Sequence, residues 1–458
     1  MTQQFDAIVV GAGQAGPSLA VRLANAGRKV ALVERHLLGG TCVNTGCTPT
    51  KALVASAYAA HIARRGTDFG IRTGAVGVEM RAVKARMDAI VTKSRTGLEK
   101  WLQSTPNCTI VRAQAKFVGT HALEVGEEVF EAQQIFLNVG ARPAVPAMPG
   151  VDTVPFLTST SILALEELPR HLVVVGGGYV GLEFAQIFRR FGSEVTLVER
   201  QSRLASHEDE DASAGIREMF AAEEIAVRVN ANCIHLERRG QGISVGLECN
   251  EGAPHIDASH VLLAVGRVPN TADLNLAVAG VEADDKGFIQ VDEELQTTTP
   301  GVYALGDCNG HGAFTHTSYN DYQIVADNLL DGGTRKVSDR IQVYAVYIDP
   351  PLARVGMSEA EVRKSGKPAL MGMRAMTRVS RAIEKGETAG FMKVLVDAET
   401  KQILGATVFG VGGDEAIHCI LTAMYARQPA SLLTHSVHIH PTVAELIPTV
   451  FGELKPLS

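Results

Sequence analysis

The chain has 458 residues, too many for one ordinary hydrophobic core, so two to four domains are expected. Its 46% hydrophobic and 20% charged residues suit a soluble globular protein, and no apolar run is long enough to span a bilayer. A net charge of −7 argues against a broad nucleic-acid surface.

Residues 5–10 (FDAIVV) form a short apolar run that ends in glycine. Asp6 interrupts it and no basic flank precedes it, so it reads as a buried strand and not as a secretory signal. That leaves the cytoplasm as the expected compartment. A helical pattern follows from Gly13 to about Ala26, and a second strand ends on Glu34, giving a β-α-β unit. Gly11, Gly13 and Gly16 form a G-x-G-x-x-G loop between strand and helix. The first glycine permits the tight turn, the second lets a pyrophosphate approach, and the third lets helix and strand pack closely. The helix N-terminus receives the phosphate charge. Glu34, 23 residues after Gly11, is placed to accept hydrogen bonds from a ribose.

The stretch GGTCVNTGCTPTK (39–51) follows. Cys42 and Cys47 are five apart, about 7.5 Å of rise in a regular helix. A disulfide needs Cα atoms within about 7 Å, so the pair closes only if the helix start is distorted, and Gly46 permits that. Lys51 lies four residues after Cys47, where an ammonium stabilises a thiolate or an anionic flavin. Read alone, this spacing leaves two inert buried cysteines as an equal alternative; beside two nucleotide loops and a lysine, a redox pair is the better reading. The remaining cysteines (108, 233, 249, 308 and 419) are scattered, which argues against a disulfide framework. They read as buried hydrophobes, with Cys308 a packing residue.

Residues 48–102 look mostly helical, and 108–140 alternate like a small antiparallel sheet. GARPAVPAMPG (140–150) is a Pro/Gly-rich crossover. A second β-α-β unit then begins at 171, with a Gly176, Gly178, Gly181 loop and an acid, Glu199, at the same offset as before. Glu199 favours NADH by repelling a 2′-phosphate. Arg200 and Arg203 either hold such a phosphate or belong to a solvated loop. Near 266–270 the chain returns toward the first unit, because TTTPGVYALGD (297–307) reads as another strand ending in Gly-Asp. From about 339 an α+β pattern takes over, with strands at 341–347, 391–396 and 403–409 and helices at 358–364, 413–427 and 429–434. Near the end, SVHIHPTVAELIP (436–448) places His438, His440 and Glu445 together. Pro441 suits the first turn of a helix, from which Glu445 reaches back to orient His440 for proton transfer.

The two glycine loops, the C-x4-C motif and the H-x-H-P-T-x-x-E segment, in this order, resemble the flavoprotein disulfide reductases, the pyridine nucleotide-disulfide oxidoreductases. The likeness covers essentially the whole chain. It implies an α/β fold of two Rossmann-like three-layer nucleotide-binding domains plus a C-terminal α+β dimerisation domain. The implied boundaries are 1–150 for the first part of the FAD domain, 151–270 for the NAD(P) domain, 271–338 for the FAD return segment and 339–458 for the interface. By the same resemblance, Cys47 is the flavin-side thiol and Cys42 the interchange thiol. Glu183 pairs with Lys51, Tyr179 gates the nicotinamide pocket, and Asp307 binds the flavin ribityl chain. Ala115 and Ser159 match weaker FAD contacts. Arg35, Gly40, Thr41, Gly140, Gly266, Thr315 and His316 are further cofactor-contact positions, and the helix after residue 314 aims its N-terminus at the flavin pyrimidine. His440 and Glu445 form the acid–base pair, reaching the disulfide of the other subunit of a homodimer.

The implied activity is FAD-dependent transfer from NAD(P)H through a Cys42–Cys47 disulfide to a small-molecule disulfide acceptor. Departures from the common members (CTPTK, GAFTHTSYNDY at 312–322, and DPPLARVGM at 349–357) look most like the mercuric-reductase-like subgroup that includes the reactive-chlorine-resistance flavoprotein. That makes Cu(II) or Hg(II) reduction an alternative, with mercury disfavoured by an end, GELKPLS, that lacks paired cysteines. A low-turnover redox sensor is a further alternative. No resident metal site, membrane contact or nucleic-acid partner is expected.

Overall fold

The computed structural model describes residues 1–248 and 252–457. Uninterrupted aliphatic runs become strands covered on both faces. Ala7–Val10 and Val30–Val33 are buried along their whole length, as is His171–Val175. They lie at the centre of two five-stranded parallel sheets. The first runs Val302–Ala304, Gln134–Leu137, Ala7–Val10, Val30–Val33, Cys108–Val111. The second runs Leu157–Thr158, His260–Leu263, His171–Val175, Glu194–Val198, Ala226–Arg228.

Alternate residues along each central strand enter different cores. Ala7 and Val9 pack with the helix Gly16–Asn25 and with residues of Thr315–Leu330, whereas Ile8 and Val10 pack on a small sheet. In the second unit Leu172 and Val174 face the helix Tyr179–Phe191, and Val173 and Val175 face a small sheet of their own. Each unit is therefore three layers: helices, parallel sheet and a small second sheet. The first small sheet joins Thr2–Gln4 to Glu128–Glu131, Ala122–Val125 and Ala115–Gly119. The second is the meander Asn232–Arg239, Gly242–Glu248, His255–Ala258.

The expectation of one antiparallel sheet over 108–140 needs correction. Its outer strands, Cys108–Val111 and Gln134–Leu137, belong to the parallel sheet: Gln134–Leu137 pairs beside Ala7–Val10 and is largely buried, and Cys108–Val111 pairs beside Val30–Val33 as the half-exposed edge strand. The connections between the units run side by side, Ala141–Pro143 antiparallel to Arg267–Pro269.

The C-terminal unit is a six-stranded antiparallel sheet with the helix Gly413–Tyr425 packed on it. Three of its strands, Leu352–Gly356, Ala369–Ala375 and Lys455–Pro456, have no counterpart in the sequence reading. Among the described residues no helix is long and apolar enough to cross a membrane.

Candidate active site

Cys42 sits in the short helix Gly40–Asn44, and Cys47 opens the 18-residue helix Cys47–Arg64. The chain breaks between them at Gly46, with φ −135° and ψ −114°, a conformation disfavoured for residues with a Cβ. A side chain there would also press within 2.9 Å of Thr41 O. The break brings the sulfurs together. Both cysteines are free thiols in the structure, close enough for each to set the ionisation of the other.

Cys47 is held down to about 6, first by the hydrogen bond from Cys42, against an opposing contribution from burial. Thr315 Oγ1, 3.2 Å from its sulfur, and Lys51 add to the lowering. Cys42 is pushed far up, first by donating that hydrogen bond, then by burial and by the charge on Cys47. Near neutral pH the pair therefore carries one proton, and it resides on Cys42.

Lys51 Nζ lies 2.9 and 2.7 Å from the two oxygens of Glu183, whose side chain is 8% exposed. Glu183 also accepts the Tyr347 amide at 2.9 Å, and the Lys51 ammonium stands 4.6 Å over the Tyr347 ring. The cation beside Cys47 is thus fixed by Glu183 and Tyr347, from two distant parts of the chain.

In the first glycine loop Gly11 has φ +100°, and a Cβ at Gly16 would collide with Gly11 O. Beside Gly13 the nearest atom to such a Cβ is Asn138 Oδ1, at 3.1 Å. Asn138, 6% exposed, accepts Gly16 N at 3.0 Å and donates to Leu305 O at 2.9 Å, so one amide ties both crossovers of the sheet to the loop. In the second loop Gly176 and Gly181 are closed in the same way, and nothing lies within 4 Å of a Cβ at Gly178. Both loops fit a dinucleotide pyrophosphate, with tight first and third glycines and an approachable second. Glu34 and Glu199 each hold their own loop, accepting Ala12 N at 2.8 Å and Gly177 N at 2.6 Å.

Around the first loop, Gly40 abuts Gly13 and Thr41 is exposed. Gly140 has open space beside it, as does Gly266. Ala115 is buried, and Ser159 lies just beyond the strand Leu157–Thr158. Arg35 pairs with Asp273 at 2.5 Å, and Asp307 pairs with Arg267 at 2.7 Å. Thr315 begins the helix Thr315–Leu330, as expected. His316 contacts Val343 O at 2.6 Å, and burial holds its ring below the ordinary imidazole value. Tyr179 opens its helix and hydrogen-bonds Glu208 at 2.7 Å. Arg203 is committed to Ser206 O and Glu208 O of its own loop, and Arg200 is exposed.

His440 Nδ1 lies 2.8 Å from Glu445 Oε2, with the imidazole side chain 73% exposed and the carboxylate 14%. No helix starts at Pro441. A 3₁₀ turn begins at Ala444 instead, and just before it Thr442 Oγ1 accepts the Glu445 amide at 3.2 Å. His438 is half-buried, and its ring hydrogen-bonds only Ser436 O among the described residues. Of the other cysteines, Cys308 is buried as expected, Cys108 and Cys419 are half-buried, and Cys233 is exposed on the edge of the meander; Cys249 lies outside the described residues. Sequence reasoning missed Asn138, Glu208, Tyr344 and Arg354. Only Asn138 left a signal, as the polar residue ending the apolar strand QIFL.

Residues 5–322 match the family model described as pyridine nucleotide-disulphide oxidoreductase, and residues 343–451 match the dimerisation domain of the same family. The chain is 36% identical over 460 residues to the probable pyridine nucleotide-disulfide oxidoreductase RclA of Escherichia coli (strain K12), covering 99% of this chain and 100% of that protein. It is 35% identical to a mercuric reductase of Streptomyces lividans, covering 97% and 94%. A solved structure described as the Cu(II) complex of the HOCl-induced flavoprotein disulfide reductase RclA from Escherichia coli superposes with a TM-score of 0.89 at 34% identity. That match covers 98% of this chain and 99% of the other.

Proposed function

The chain belongs to the pyridine nucleotide-disulphide oxidoreductases, and from that premise we propose that it is a cytoplasmic, homodimeric reductase that takes electrons from NADH in preference to NADPH and delivers them through Cys42 and Cys47 to a disulfide acceptor. The domain boundaries at 150, 270 and 338 belong to the same proposal. FAD, when bound, supplies the two-electron chemistry between nicotinamide and sulfur. Gly11, Gly13, Gly16, Glu34 and Asp307 would hold it, and Gly176, Gly178, Gly181 and Glu199 would hold the nicotinamide nucleotide.

The observation that carries the reading is the meeting at one helix start of Cys47, Thr315 Oγ1 at 3.2 Å and the Lys51–Glu183 ion pair at 2.7 Å. Cys47 is a thiolate stabilised by Cys42, Thr315 and Lys51, while Cys42 holds the remaining proton. To attack an acceptor, Cys42 must lose that proton. Lys51 is already occupied by Glu183. The exposed imidazole of His440, oriented by Glu445, suits a base supplied to the sulfurs of a second copy. The proton taken from Cys42 then goes to the departing thiolate of the acceptor. Cys47 attacks the mixed disulfide at Cys42, displaces the second sulfur as a thiolate that takes its proton from solvent, and restores the internal disulfide, so two electrons leave the pair for each acceptor disulfide reduced.

A second reading is favoured by one specific finding, the Cu(II) complex of the similar RclA. Here the pair, holding one proton between its two sulfurs, would reduce two Cu(II) to two Cu(I), closing the Cys42–Cys47 bond and releasing that proton. The separating experiment is NADH and NADPH consumption with lipoamide, glutathione disulfide, Cu(II) and Hg(II) in turn, for the wild type and for Cys42→Ser. The proposal expects turnover with a disulfide that Cys42→Ser abolishes. Consumption unchanged by that substitution with every acceptor would refute thiol-mediated transfer altogether.

A further inference from the structure

The second glycine loop leads into Tyr179, whose ring is not free. Its hydroxyl donates to Glu208 Oε1 at 2.7 Å. Tyr344 donates to the same oxygen at 2.6 Å, and Arg354 Nε donates to the other oxygen at 2.8 Å. Glu208 is 1% exposed and Arg354 2%, so this carboxylate is removed from water and matched by a guanidinium.

The donors come from the C-terminal sheet, and its register places them. Tyr344 lies opposite Arg354, Arg354 opposite Thr407, and Thr407 opposite Lys393. Residues paired across strands share a face, so the sheet presents a row of donors to the turn at 208–211. Arg354 also reaches Asp209 at 2.9 Å, and Lys393 reaches Asp209 at 2.9 Å and Asp211 at 2.7 Å. The turn is thus pinned, and Glu208 with it. On the other side the ring of Tyr179 lies 5.4 Å from that of Tyr344 and 6.4 Å from that of Phe314. Phe314 stacks on Tyr344 at 5.3 Å and immediately precedes Thr315, the partner of Cys47.

We infer that Glu208 is a latch for Tyr179: it holds the tyrosine in its closed position by one hydrogen bond, and Tyr344 tempers that bond by competing for the same carboxylate oxygen. The inference rests on the proposed use of a nicotinamide at the second loop. Tyr179 is the partner the latch would release, because Tyr344 and Arg354 lie within strands and Tyr179 stands at the first turn of a helix beside a glycine loop. When Tyr179 swings away, Glu208 keeps Tyr344 and Arg354, so the buried carboxylate is never stranded and opening breaks a single hydrogen bond. Burial pushes both phenols well above their ordinary values, which keeps each of them a donor throughout the working pH range. Glu208 is a positioning residue in this scheme and touches no reacting atom.

A hydrogen bond to a charged group, at the low end of its range, shifts a closed-to-open ratio by about tenfold, and apparent affinity follows the open fraction. The test is steady-state NADH oxidation by the FAD-loaded enzyme with ferricyanide as acceptor, which bypasses the cysteines. Tyr179→Phe keeps the ring and removes the bond to Glu208. The KM for NADH should fall by roughly three- to tenfold with kcat within about twofold. Tyr344→Phe leaves Glu208 Oε1 to Tyr179 alone, and the KM should rise by about twofold or more. A merely structural role moves both variants in the same direction. Shifts of the same sign, or no shift in either while Tyr179→Ala alters the KM, would overturn the latch. An unchanged KM in Tyr179→Ala would show that the ring does not meet nicotinamide, a separate failure that removes the latch along with the reading beneath it.

Discussion

Replacing Thr315 with valine removes one hydroxyl and preserves the branched shape, so it isolates a single contribution to the Cys47 thiolate. The hydroxyl lies 3.2 Å from Cys47 Sγ at the start of the helix Thr315–Leu330. A hydrogen bond to an ionised group contributes about 1.5–3 kcal/mol. Cys47 is exposed on one side and sulfur is a weak acceptor, so the lower end applies, about one pK unit. Cys47 should move from about 6 to roughly 7. A thiolate exists above its pKa, so the loss appears on the acid side. At pH 6 the thiolate fraction should fall from about one half to about one tenth, at pH 7 from about nine tenths to about one half, and at pH 9 hardly at all. The assay is iodoacetamide alkylation of the reduced enzyme across pH, with the modified peptide identified as the one bearing Cys47. A rate profile that keeps its midpoint would refute the reasoning. A uniform slowing at every pH would show that valine had changed access and not ionisation.

Lys51→Met leaves Glu183 with the Tyr347 amide as its remaining partner among the described residues; the urea midpoint should fall by an amount equivalent to about 1–3 kcal/mol, and the Cys47 alkylation profile should move alkaline, as for Thr315→Val. His440→Gln should lower turnover with a disulfide acceptor by about 10²–10⁴-fold while leaving ferricyanide reduction intact, measured side by side. Asn138→Ala unpairs the Gly16 amide and the Leu305 carbonyl, about 1–3 kcal/mol each, and should appear as flavin released on dilution, read by its fluorescence. Arg354→Met leaves Glu208 and Asp209 without their buried guanidinium and should destabilise the fold by about 3–5 kcal/mol in equilibrium unfolding.

The parts of this molecule that were legible in the sequence are those specified locally. A glycine loop, the strand before it and the acid after it span about thirty residues, and spacing alone places them. The Lys51 offset from Cys47 is helical geometry, and His440 with Glu445 lies within one short segment. The pairing of Lys51 with Glu183 joins residues 132 apart, and it was reached through family likeness, not through spacing. What local pattern could not give was register. Cys108–Val111 alternates weakly and joins a parallel sheet only because Val30–Val33 needs a neighbour. Leu352–Gly356 passes for a loop because two prolines precede it, yet it carries Arg354. Nothing in the residues around Tyr344, Arg354 or Glu208 signals that they meet, since three separate strand and turn registers must all be right before they do.

The acid that ends the second strand of each nucleotide unit does more than a local pattern shows. Glu34 was read as a ribose acceptor and Glu199 as an acid that repels a 2′-phosphate, and the two are engaged in the same way by their own loops. One oxygen takes the amide of the loop's second residue, and the other takes an amide two residues beyond the acid, His36 N at 2.8 Å and Gln201 N at 2.7 Å. A carboxylate offers about four acceptor positions, so two remain for hydroxyls on each. For Glu199 the consequence is directional. Held by two backbone amides, it cannot turn aside to admit a 2′-phosphate without releasing the loop that would carry the pyrophosphate. Arg203 is tied to the carbonyls of Ser206 and Glu208, leaving Arg200 as the cation available to offset the repulsion. One exposed guanidinium against one anchored carboxylate leaves little net attraction for a dianion, which is the physical ground of the proposed preference for NADH.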